Sequence, residues 1–412
     1  MRVASPEKAD FLLPWTQGQG LSVQLLVSLF QWICLVPILG GSVYAILCLF
    51  AFLRFRKQPV PSTSSPFSEW PPVTILKPLC GLEKNQRMNL HSVCQQDYPE
   101  YQVIFSVQDP DDPVMPLLKE IQQEFGPEKV SVVVENCQAG PNGKINNLLG
   151  ALPHARYDIL VISDSDVRLG PDYLKTIVAP LAEPDVGCVC TLYKTTCADR
   201  WFEKMELLTF NADFIPSVIF AYVTGASHFC LGPSMALRRS TLKDIGGLEA
   251  LAPYLVEDYE IGRRLWISGK RVAIVRHFVE IVVDLKNPSQ WWNHQIYWDQ
   301  NTRAARPIGF LASVLIRSVP FALFFAACRS ADAIGLIVLG GAVGLRLATA
   351  AVILGWGLRD REGLKSIVFL PLRDITALCS WLLAFTKKTV TWRGAKFILA
   401  RDGLLVPKEK SS

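Results

Sequence analysis

Asp164 and Asp166 stand one residue apart at the end of the apolar run YDILVI. Two carboxylates so close repel each other unless something positive lies between them. Mg²⁺ or Mn²⁺ suits that place, because each takes hard oxygen ligands, typically one or two carboxylates plus the phosphates of a substrate. An acidic turn capping the stretch PDYLKTIV is the plain alternative for the same residues. A second chemical candidate is Asp258 in LVEDYEIGRRL, residues 255–265. A carboxylate lining a cleft can take the proton of an attacking hydroxyl. Glu257 offers the same chemistry from the neighbouring position, and an ion pair between Asp258 and Arg263 or Arg264 is the structural alternative.

These acids have company. ILKPLCG at 75–81 carries Lys77, SVQDPDDP at 106–113 carries Asp109, NGKINNL at 142–148 carries Lys144, and HQIYW at 294–298 carries His294 and Trp298. Each motif alone is weak, but the set in this order is specific. As a set, the motifs resemble the ceramide glucosyltransferase family of inverting nucleotide-sugar glycosyltransferases, including bacterial and hopanoid-associated members. The resemblance covers residues 72–310 by motif and the flanking segments by layout. It implies a GT-A fold, a UDP-sugar donor, Mg²⁺ or Mn²⁺ as cofactor and a lipid hydroxyl as acceptor, ceramide or a hopanoid.

Carried over position by position, Asp109 is expected to hold the uridine, and Asp164 and Asp166 the metal, with Asp164 also facing the donor. Asp258 is expected to act as the catalytic base, and Lys77 and Lys144 to sit near the uracil or diphosphate. His294 and Trp298 belong to the segment that closes the donor site. That segment departs from the family pattern of Gln or Arg, two residues, Arg, Trp: Trp298 matches, whereas His294 and Tyr297 stand where the family has other residues. Arg303 or Arg306 could supply the missing charge. Some ceramide-specific members replace the second metal-site carboxylate, which this chain keeps, and ceramide-specific members carry His-Pro where it has Phe214-Ile215.

Such residues need elements to hold them. VTILKPL, YQVIFSVQD, VSVVVE and YDILVISD are short, β-rich and apolar. They alternate with helix-forming stretches such as DPVMPLLKEIQQEFG. Alternation of this kind predicts an α/β domain with a mostly parallel, Rossmann-like sheet. In such sheets ligands bind outside the carboxyl ends of the strands, where Asp109, Asp164 and Asp166 fall. The apolar stretch 214–239 fits either a lipid-facing wall or a buried strand pair.

The chain has 412 residues, of which 50% are hydrophobic, and a net charge of +5. That composition excludes an ordinary soluble enzyme and points to one soluble domain with membrane segments. The modest positive charge suits anionic lipid surfaces rather than nucleic acid. Eleven cysteines, scattered without CxxC pairs, suggest neither a disulfide framework nor a zinc site.

Leu21 to Leu53 holds no charged residue, long enough for a transmembrane helix. Arg54, Arg56 and Lys57 follow, which places that flank and the catalytic domain on the cytosolic face. The expected layout is an N-terminal anchor segment at 1–57, a Pro/Ser-rich linker at 58–71 and the catalytic domain at 72–306. Membrane segments at 307–390 and a basic tail at 391–412 complete it. Three apolar stretches, 308–328, 334–356 and 367–386, would carry the tail across if all were spans. That conflicts with the positive-inside rule, so one of them is expected not to cross.

The reading is a multi-pass membrane enzyme moving glucose or N-acetylglucosamine from a UDP-sugar to a lipid. The alternatives are a hopanoid glycosyltransferase, a processive polysaccharide synthase, and a non-catalytic membrane scaffold.

Overall fold

The structure is a computed structural model describing residues 15–59, 65–196, 198–387, 389–392, 395–400 and 403–407. Parts of the linker and of the basic tail lie outside the described residues.

Four β-branched runs form adjacent parallel strands, β1 (Val73–Pro78), β2 (Tyr101–Val107), β3 (Val130–Val134) and β4 (Ile159–Ser163). β1 lies between β2 and β4, and every residue of these three strands is buried. Strands covered on both faces read as continuous apolar runs, which is how they stand in the sequence. The sheet continues through β5 (Val167–Arg168), β6 (Val186–Lys194), β7 (Ser234–Arg238) and β8 (Arg271–Ile281) in the order β3-β2-β1-β4-β7-β6-β8-β5. β7 runs against β4 and β6, and β5 against β8. The carboxyl ends of β2, β1 and β4 therefore share one edge, with Asp109 and Asp164 just beyond it.

The segment 214–239 is not a strand pair. Ile215–Val223 is helical and packs beside the anchor helix Trp15–Arg56, Tyr44 meeting Phe220 at 5.3 Å and Phe55 meeting Tyr222 at 6.0 Å between ring centroids. Only Ser234–Arg238 pairs into the sheet.

Among the described residues, four helices are long and apolar enough to cross a membrane: Gln24–Arg56, Trp201–Val223, Ala333–Gly357 and Arg361–Thr386. A fifth candidate is the pair Pro307–Ile316 and Ser318–Cys328, bent by 50°. Trp201–Val223 is 56% buried inside the protein, against 22% for Ala333–Gly357, so it serves chiefly as a wall between domain and anchor.

The contacts at the helix ends sort the others. Gln31, in the first half of the anchor, donates to the carbonyl of Cys328 at 3.3 Å, so the bent pair ends at the far side from the domain. Its kink crosses the anchor at mid-length, where a Cβ on Gly40 would lie 2.5 Å from the Leu315 carbonyl. Ala333–Gly357 then returns, and Arg56 donates to the Gly357 carbonyl at 2.8 Å on the domain side. Arg361–Thr386 starts beside Asp360, which accepts from Asn211, and ends at Lys387, whose carbonyl accepts from Gln300. Both ends of that last helix are thus tied by hydrogen bonds to the wall helix and to the helix Pro288–Ala305.

The chain then forms an antiparallel sheet of β9 (Thr389–Trp392), β10 (Ala395–Leu399) and β11 (Leu405–Pro407). This sheet is bound to the catalytic domain: Leu255 N donates to Gly403 O and Leu405 N to Pro253 O, each at 2.9 Å. Leu405 is buried against Leu255.

Candidate functional site

Lys144 is the joint of the site. Asn142 caps its helix, Gly143–Ala151, accepting from the backbone N–H of Lys144 and Ile145. That cap fixes the first turn and aims the Lys144 side chain inward. Its Nζ lies 2.7 Å from Asp164 Oδ1 and 2.9 Å from Glu257 Oε1, and donates to Gly232 O at 3.3 Å. Burial opposes its charge, but Asp164 and Glu257 outweigh burial and hold its pKa above the ordinary lysine value. One ammonium thus joins the end of β4 to the residue preceding Asp258.

Glu257 and Asp258 open the helix Glu257–Ile267, and they are not equivalent. Glu257 is paired with Lys144 and accepts from Asn142 Nδ2 at 3.0 Å. Asp258 accepts from the backbone N–H of Gly232 at 2.7 Å and of Tyr259 at 2.7 Å. Burial, then the Glu257 charge, push its carboxyl up to about 7, against the pull of Lys144. Arg263 and Arg264 both bind Glu260, each at 2.7 Å, so the ion pair considered for Asp258 belongs to Glu260 instead. A half-titrated carboxylate near neutral pH suits general-base work. Gly232 matters for space as well: a Cβ there would stand 2.8 Å from Asp258 Oδ2.

At the end of β4, Asp166 has its carboxyl pushed up to about 7 by burial and by the charges of Asp164 and Glu83. The donors gathered here are hard carboxylate oxygens with surplus negative charge, which fits Mg²⁺ or Mn²⁺. Lys77 lies beneath them, fully buried, its Nζ donating to Asp164 O at 2.6 Å, Ser163 Oγ at 3.2 Å and Val167 O at 3.3 Å. Burial lowers its pKa to about 8. Its three donors are spent on the Ser163–Val167 turn that carries Asp164 and Asp166. Asp109 stands exposed past the end of β2 and accepts from Asp111 N at 2.9 Å.

His294 and Trp298 lie one turn apart on the helix Pro288–Ala305. His294 Nδ1 is 2.8 Å from Glu206 Oε1, and Trp298 Nε1 donates to His294 Nε2 at 2.9 Å. With Nε2 accepting, Nδ1 carries the proton toward Glu206. Burial opposes the charged ring, but Glu206 holds its pKa above the ordinary value. Trp298 meets Phe210 at 5.1 Å and Phe214 at 5.6 Å edge-on. Arg303 reaches the Lys387 carbonyl, away from the metal turn, whereas Arg306 lines a neighbouring cavity.

That cavity, of about 580 Å³, lies between the anchor, the wall helix and the C-terminal helices, with Tyr44, Phe214, Trp298 and Arg317 among its lining. A charged network braces it: Arg346 binds Asp374 at 3.0 Å and Asp213 at 3.2 Å, and Arg373 binds Asp213 at 2.7 Å.

Sequence reasoning passed over Glu206, Gly232 and Asn142, and it read the cysteines as scattered. The thiols of Cys188, Cys190 and Cys230 lie within 4.8 Å of one another, all buried. Cys188 and Cys190 share a face of β6, and Cys230 enters beside them just ahead of β7. Only the alternation of Cys188 and Cys190 on a strand hinted at this.

The family model described as glycosyl transferase family 21 matches residues 33–405. Ceramide glucosyltransferase 1 of Caenorhabditis elegans is 27% identical over 212 residues, covering 50% of this chain and 44% of that protein. Ceramide glucosyltransferase 3 of the same organism is 24% identical over 363 residues, covering 82% and 75%. The chain thus spans less than half the length of the first relative. Among solved structures, the mannosyltransferase PcManGT from Pyrobaculum calidifontis, in complex with GDP-Man and Mn²⁺, aligns with a TM-score of 0.50 at 20% identity, covering 86% of this chain and 99% of that one. That likeness concerns the fold, which is GT-A.

Proposed function

The chain belongs to glycosyl transferase family 21, and from that premise we propose that it is a membrane-bound inverting enzyme transferring a sugar from a UDP-sugar to a lipid hydroxyl. The observation that carries the reading is Asp258: half-buried, free of the arginines that follow it, with its carboxyl raised to about 7, and joined through Glu257 and Lys144 to Asp164. Asp258 takes the proton of the acceptor hydroxyl as that oxygen forms its bond to the anomeric carbon. The bond from the anomeric carbon to the diphosphate oxygen breaks, and UDP leaves with the electron pair. Attack on the face opposite the leaving group inverts the anomeric centre.

Asp164 and Asp166 would hold a divalent cation, which when bound offsets charge growing on the departing diphosphate. Lys77 holds their turn in shape. Lys144 keeps Glu257 from competing as base. Asp109, at the open edge, is assigned to the uridine. His294 and Trp298, fixed by Glu206 and by each other, close the donor site and limit water, which would otherwise hydrolyse the donor.

The acceptor is assigned to the cavity beside Trp298, between domain and membrane helices. Its wall includes Phe214, stacked on Tyr193 at 4.9 Å and backed by Phe210. Flat aromatic faces favour a rigid polycyclic lipid such as a hopanoid as the second reading beside ceramide. The basic end of the anchor supports a cytosolic catalytic face.

The test is transfer from radiolabelled UDP-glucose and UDP-N-acetylglucosamine into ceramide and hopanoid acceptors, in membranes holding the wild type or Asp258→Asn. A labelled glycolipid that disappears in the variant and with EDTA supports the reading, and its mass identifies sugar and acceptor. Full activity in Asp258→Asn overturns the assignment of the base.

A further inference from the structure

A second cavity, of about 400 Å³, opens on the outside of the domain where the anchor helix emerges. Arg54, Lys270 and Arg271 line it together with Gln58, His228 and Trp266, and the lining contains no Asp or Glu. The three cations are not equally free. Arg271 is committed to Asp185 at 2.6 Å and to Glu183. Lys270 Nζ donates to the neutral Pro184 carbonyl at 2.7 Å and forms no ion pair among the described residues, although its charge reaches Asp185. Arg54 is exposed and forms no salt bridge among the described residues. Two positive charges therefore line this cavity without being held in an ion pair among the described residues.

Its position limits what can fill it. Arg54 lies in the last turn of the anchor, and Tyr222, which packs on Phe55 of that turn, lines the cavity too. The cavity thus sits at the depth where a membrane helix leaves hydrocarbon for head groups. At its rim the His228 ring lies 4.5 Å from that of Trp266, which is 56% exposed, and Ile267 beside it is 62% exposed. A half-exposed Trp next to an aliphatic side chain and basic groups is the composition of an interfacial contact.

We propose that this cavity binds the phosphate head group of an anionic phospholipid, with Arg54 and Lys270 meeting the phosphate and Trp266 and Ile267 resting among the upper acyl chains. Trp266 and Gly262, both at the cavity, belong to the helix whose first turn carries Asp258. Gly262 lies so close to the 229–230 backbone that a Cβ would stand 2.3 Å from Phe229 Cα. A lipid held at one end of this helix is therefore coupled, through a rigid element, to the carboxylate at the other.

The binding is read without any sugar transfer, so it stands or falls separately from the proposed reaction. The full chain is purified into nanodiscs of phosphatidylcholine with or without phosphatidylglycerol, and lipids retained on detergent release are weighed by native mass spectrometry. Phosphatidylglycerol is expected to be retained over phosphatidylcholine. The double variant Arg54→Gln/Lys270→Gln should lower that retention about tenfold, and Arg54→Lys/Lys270→Arg should restore it, which separates lost charge from lost fold. Equal retention of the two lipids, or undiminished phosphatidylglycerol in the Gln variant, overturns the proposal. Displacement by millimolar inorganic phosphate also overturns it, in favour of a site for soluble anions.

Discussion

Asp258 gives the proposed reaction its pH dependence. Its carboxyl, pushed up to about 7, works as a base only when ionised, so the ionised fraction grows as pH rises through that value. With metal saturating, kcat/KM is expected to fall about tenfold per pH unit below the pKa. Glu257→Gln removes a like charge and should move this acid limb to lower pH; a limb that stays put would show that another group sets it. Asp258→Asn should cost about 10²- to 10⁴-fold in kcat, the usual worth of a positioned base. Gly232→Ala pushes a methyl to within 2.8 Å of the same carboxylate oxygen. Its expected signature is a fall in kcat with the donor KM nearly unchanged, measured by initial rates. The acids themselves were legible in the sequence, since carboxylates at strand ends and a helix start stand out against apolar runs. Which of Glu257 and Asp258 is free was not. That choice rests on Lys144, more than a hundred residues away, and on Arg263 and Arg264 turning to Glu260.

At the scale of elements, β1 to β4 could be read directly, because strands buried on both faces are written as unbroken β-branched runs. The wall helix and the flat last helix could not, since hydropathy registers composition and is blind to where a helix ends. Arg361–Thr386 has the apolarity of a span, yet both its ends are tied to the domain. Cysteines introduced at Ala331 and at Lys387 should accordingly label from opposite sides of sealed vesicles; labelling from one side would refute this path. The charged brace offers a second check. Arg346→Met would leave Asp374 and Asp213 to share Arg373. With Arg373 still compensating one of the two charges, the cost should fall below the roughly 3–5 kcal/mol of a fully unpaired buried charge, visible as a modestly lower Tm in detergent. Gly262→Ala, forced against backbone rather than a movable side chain, should cost about 1–3 kcal/mol by overpacking.

At the scale of the whole molecule, the soluble domain and the membrane helices are one machine. The helix Glu257–Ile267 is gripped from two sides, by the 229–232 segment at its start and by the β9–β11 sheet through Leu255. Metal removal should therefore abolish transfer without unfolding the protein, because packing and not the cation holds the carboxylates in place; unfolding on EDTA, followed by circular dichroism, would contradict this. The return of the chain to residues 253–255 also bears on how the protein is handled. On the proposed path the anchor begins on one face of the bilayer and β11 ends on the other, hydrogen-bonded beside Asp258. An affinity tag or fluorescent reporter inserted directly after Pro407 would emerge beside residues 253–255, where it would compete with lipid entry and tug on Leu255. On that proposed path, the same tag inserted directly ahead of Trp15 would be separated from the cleft by the thickness of the membrane, which makes it the better handle for purification and assay.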